Sequence, residues 1–146
     1  MFSDSTTTYY RIMEEAIDLM KTSFHKYQED YGQNHYKTYR AASQLGRLEY
    51  LAGHAAPTND KALQQFSDSN LTFSRLLKTH KRYYKDLNDN YKTDMFNDDS
   101  LILHHDIFID YKYKTMACIY GKKFQEADSC LVHLKKIASM ILSQND

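Results

Sequence analysis

One proline, Pro57, and four glycines are all that interrupt 146 residues. A sheet protein needs turn residues roughly every 8–12 positions, and this chain cannot supply them. Long helices are what remains. The clearest connector is 54–60, where Pro57 is followed by Thr58, Asn59 and Asp60, three residue types that cap helix N-termini. Gly32, Gly53 and Gly121 each follow an amphipathic run, and glycine can end a helix in the left-handed conformation without a Cβ penalty. Gly46 follows none. Inside a helix it costs about 1 kcal/mol relative to alanine. With Ala42 one turn before it, Gly46 predicts a small-residue face on which a neighbouring helix packs closely.

The apolar residues carry the helical period. Over 5–31, Tyr9, Met13, Ala16, Met20, Phe24, Tyr27 and Tyr31 recur at steps of three or four, with Ile12 and Ile17 widening the stripe. Over 34–52, Ala41, Leu45, Leu48 and Leu51 share a face, and the short link between these runs predicts an antiparallel hairpin. A third stripe joins Leu63, Phe66, Phe73, Leu77, Tyr84, Leu87 and Tyr91, with Ser67-Asp68-Ser69-Asn70 as an expected break or bend. The segment 86–100, rich in Asn and Asp, reads as a loop. Over 101–120 the apolar groups point almost everywhere and only Asp106, Asp110 and Lys114 form a polar strip, so this fourth helix is expected to be the most buried. Phe124, Ala127, Leu131, Leu134, Ala138 and Ile141 give a fifth helix. The expectation is an all-α, single-domain bundle over 1–146 of about five antiparallel helices.

With 19 basic and 19 acidic side chains, the chain offers no net attraction to nucleic acid or acidic membranes. No apolar run approaches the roughly 20 residues that span a bilayer, and residues 1–18 show no secretory pattern. Cys118 and Cys130 do not form a CxxC pair and suit reduced thiols in apolar surroundings. These features predict a cytoplasmic setting. Thirteen tyrosines and no tryptophan supply rings that can be half covered by a core and half available to a contact.

Three segments carry hints of chemistry. His80, the adjacent His105-Asp106, and Asp128 or Asp146 as a distant acid resemble the metal set of the helical HD phosphohydrolases. That resemblance would imply metal-dependent phosphate-ester hydrolysis through His80, His105 and Asp106. Only 40 residues follow Asp106, fewer than that family usually has, and a histidine on a mostly apolar helix is more often packed than catalytic. Asp86-Leu-Asn88-Asp-Asn90 resembles the start of an EF-hand calcium loop, but Tyr91 stands where glycine is needed and Asn97 where a bidentate glutamate is needed. Lys78, Lys81, Arg82 and Lys85 interleave with aromatics as a nucleic-acid contact would. Arg82 with Asp86 and Lys85 with Asp89 instead give the i,i+4 pairs of a solvated face.

Leu45-Gly46, Gly53, Ala62 and Phe66 resemble a tetratricopeptide hairpin, as do Met116-Ala117, Gly121, Phe124 and Ala127. The linker lengths depart from the 34-residue pattern of that repeat. The resemblance implies packing by helix hairpins and extends over less than half of the chain.

Taken together, these readings predict a non-enzymatic interaction module without cofactor or metal. It would serve an adaptor, regulatory, immunity or chaperone role by binding a protein or peptide, or a second copy of itself. Tyr10 and Tyr83, at the edges of their apolar stripes, are the expected contact residues. The HD-like hydrolase and a nucleic-acid binder using the 78–85 face are the alternatives.

Overall fold

The computed structural model describes the backbone of residues 4–90 and 98–144, and the side chains of 7–79, 105–139 and 142. Five helices form: α1 (Asp4–Tyr31), α2 (Tyr36–Ala55), α3 (Asn59–Asn90), α4 (Asp98–Tyr120) and α5 (Phe124–Gln144). No strand occurs among the described residues. No helix among them is long and apolar enough to cross a membrane.

Each helix packs on its neighbours in the chain, and α2 also touches α4. Thr38, at the start of α2, donates to the carbonyls of Gly32 (2.7 Å) and Tyr27 (3.1 Å), whereas Tyr10 near the start of α1 packs with Ala52 near the end of α2. These two helices are therefore antiparallel. The same reversal follows from Gly46 against Phe73 and Gly53 against Phe66. Ser43 bonded to Asp110 and Tyr50 bonded to Met116 make α2 and α4 run parallel.

The connectors show which residues end the helices. Gly32 takes φ +86° and bonds back to the Gln28 carbonyl at 2.9 Å, as expected of a terminating glycine. His35 caps α2, its Nδ1 accepting from the Lys37 amide. Among the three candidates after Pro57, Thr58 caps α3, accepting the Lys61 amide at 3.3 Å.

Four expectations need correction. Gly53 lies within α2 rather than beyond its end, and its role is close packing, since a Cβ there would stand 2.5 Å from the Phe66 ring. At the end of α4 the left-handed residue is Lys122 (φ 64°), not Gly121. Ser67-Asp68-Ser69-Asn70 does not break α3: Ser69 and Asn70 are buried, and their side chains bond to other helices rather than to the local backbone. The most buried helix among the described residues is α2, with ten buried positions out of 20. Along α4 only Asp110, Tyr111, Thr115, Ala117 and Cys118 are buried in the described stretch. Its lack of a polar face had another origin: Tyr120 and Ile119 are exposed, while Asp110 is turned inward. Small residues explain the rank of α2. Ala41, Ala42, Ser43, Gly46, Ala52 and Gly53 let three helices close on it.

Candidate functional site

Most of the buried polar groups lie between α2, α3 and α4. Ser43 donates to Asp110 at 2.9 Å, and the Tyr39 phenol bonds into the same acidic pair, Asp106 and Asp110. Thr72 donates to Glu49 at 2.6 Å, and Ser69 to the Gly46 carbonyl at 2.7 Å. Asn70 donates to Glu126 at 2.8 Å, with the Cys118 sulfur 3.3 Å from Asn70 Oδ1. Burial is the main influence on these acids. It pushes both Glu49 and Asp110 up to about 7, against the opposing bonds from Thr72 and Ser43. Asp106 is raised by the same cause, and the Tyr39 phenol is pushed up by burial beside two carboxylates. Glu126 is lowered, chiefly by the Asn70 amide. The Cys118 thiol, hydrogen-bonded to Cys130 and buried, is held well above its usual range. Burial thus favours the protonated forms of the raised groups, and the hydrogen bonds between helices fix their register. The polar strip of α4 thus faces α2 at Asp110.

His105 is exposed, Asp106 is half-buried and engaged by Tyr39, and Asp128 is exposed. The side chains of His80, Tyr83, Lys81, Arg82, Lys85 and the 86–97 segment lie outside the described residues, as does Asp146; Lys78 is exposed. Among the described residues, no three His, Cys, Asp or Glu side chains gather as a metal set.

Tyr10 is not at the rim. It is 4% exposed, packed with Met13, Ile17, Leu45 and Ala52, and its hydroxyl accepts from Gln65 at 3.0 Å. The broad apolar stripe of α1 is in fact two seams. Tyr10, Met13, Ile17, Met20 and Phe24 face the core. Tyr9, Ile12, Ala16 and Leu19 form a second seam, with Tyr9 53%, Ile12 54% and Leu19 71% exposed. Neighbouring positions differ by about 100° around a helix, so placing the stripe one residue off exchanges Tyr10 for Tyr9. The signal was present as a second row at steps of three, four and three.

On another side of α1 lies a groove of about 380 Å³, floored by α2 and walled by the C-terminal half of α1 and the middle of α3. Neither wall helix packs its backbone against the other. No pattern in the sequence marks this groove, because it depends on how far two helices diverge over a third.

No family model matches the chain, and the searches of curated proteins and of solved structures found no match.

Proposed function

We propose that this protein is an interaction module that docks an amphipathic helix of a partner protein on the outer seam of α1. One observation carries the reading: Tyr9, Ile12, Ala16 and Leu19 repeat at the a/d spacing of a two-helix seam, and three of them stand at least half exposed. An incoming helix would lie beside the α1–α2 pair and bury this row as the inner seam is already buried. Tyr9 supplies large area with few rotors, the property that enriches tyrosine at interfaces.

The double variant Ile12→Glu, Leu19→Glu tests this. Both positions are exposed, so far-ultraviolet circular dichroism should be unchanged. A photo-crosslinking amino acid at position 12 should join wild-type protein, in native extract, to a partner peptide of amphipathic helical pattern, and the double variant should release that partner. Crosslinks only to a second copy, with a dimer by light scattering, would replace the partner by self-association. A partner retained by the double variant would overturn the seam as the docking face.

A further inference from the structure

The groove between α1 and α3 lies on a different face from the outer seam, and its lining has a chemical bias. At one end the walls are joined: Gln65 donates to the Tyr10 hydroxyl at 3.0 Å, and Lys61 sits 5.7 Å from the Tyr10 ring centre. Toward the other end they part. There Phe24 on α1, Ala42 and Leu45 on α2 and Leu76 on α3 give an apolar lining. Gln28 and Gln33 supply amide groups that can donate hydrogen bonds, and Arg75 adds an exposed guanidinium.

No aspartate or glutamate is among the lining residues. Among the described residues, no carboxylate forms an ion pair with Arg75. Of the acids near this region, Asp30 pairs with Lys26 at 3.6 Å, Glu49 accepts from Thr72, Asp68 accepts from Gln64 at 2.9 Å, and Glu29 is exposed. A permanent cation thus stands beside an apolar recess with no ion-pair partner among the described residues.

We propose that this groove binds a small organic carboxylate with an aromatic or branched apolar body. The body lies against Phe24, Leu45 and Leu76, and the carboxylate meets the fork of Arg75. The volume falls at the lower end of the range for small-molecule sites, roughly 300–1,000 Å³. Guanidinium binds a carboxylate through two parallel hydrogen bonds, and the low-polarity wall beside it strengthens that pairing.

A titration of the ¹⁵N-labelled protein with 2-naphthoate and with its neutral isostere 2-naphthamide, followed by amide chemical shifts, tests the assignment. Naphthoate should give saturable shifts centred on Gln28, Ala42, Thr72 and Arg75. Binding should weaken about tenfold or more for naphthamide, and by a similar factor for naphthoate with Arg75→Gln, a substitution at an exposed position that leaves the fold intact. Equal affinity of acid and amide, or of wild type and Arg75→Gln, would overturn the carboxylate assignment. Absence of saturable shifts with either probe, or shifts centred away from the groove, would overturn the site itself. Neither result bears on the α1 seam.

Discussion

Gly46 shows how one missing atom sets a helix contact. A Cβ built there would stand 2.6 Å from the Phe73 ring, and Phe73 is fully buried, so the ring has nowhere to swing. Helix propensity alone says that Gly46→Ala stabilises by about 1 kcal/mol. Packing says the reverse. We expect Gly46→Ala to lower stability by about 1–3 kcal/mol in urea denaturation, as overpacked cores do, with Gly46→Leu worse. A more stable alanine variant would show that the contact is soft. The sequence carried this signal, because a glycine inside a helix with no terminating role needs a packing reason. Tyr10 was misread for a related reason. Periodicity locates a stripe but not its centre when apolar residues extend around almost half the helix, and only the register of Leu45 and Ala52 against α1 selects Tyr10 over Tyr9.

At the scale of elements, the five helices were legible because each carries apolar residues at steps of three or four between recognisable stops. The polar run in α3 was not. Ser69 and Asn70 look like turn formers in isolation, and only the arrival of Gly46 and Glu126 from other helices gives their side chains better partners than their own backbone. The α4–α5 turn hid a similar surprise. The Lys122 amide bonds to the Ile119 carbonyl at 3.1 Å and the Lys123 amide to the Cys118 carbonyl at 2.7 Å, which is the paired closure of a Schellman end with Lys122 in the left-handed position. A side chain there carries a conformational penalty that glycine lacks. Lys122→Gly should therefore raise stability by about 0.5–1 kcal/mol, seen as a higher melting temperature. A lower one would mean that the lysine makes compensating contacts.

For the molecule as a whole, the buried acids set how stability varies with pH. Glu49 and Asp110 titrate near 7 in the folded protein, well above their ordinary carboxylate values. Below about pH 3 both are largely protonated whether folded or not. Between there and pH 7 the folded chain keeps protons that the unfolded chain has released, so their contribution to stability declines as pH rises and is level above that window. Glu126, lowered rather than raised, acts in the opposite sense. The clean measurement is therefore a difference. Going from pH 5 to pH 8, the melting temperature of Glu49→Gln, Asp110→Asn should fall less than that of wild type. Equal falls would show that neither acid is protonated in the fold. The packing order has a kinetic consequence as well. Among the described residues, apart from α2 with α4, every pair of helices whose backbones pack closely is consecutive in the chain, and α1–α3 and α3–α5 meet through side chains such as Tyr10–Gln65 and Asn70–Glu126, so most loops that must close are short. Low contact order of this kind places folding in the microsecond-to-millisecond range. It also lets the protein assemble progressively during synthesis, each helix settling on the one made just before it.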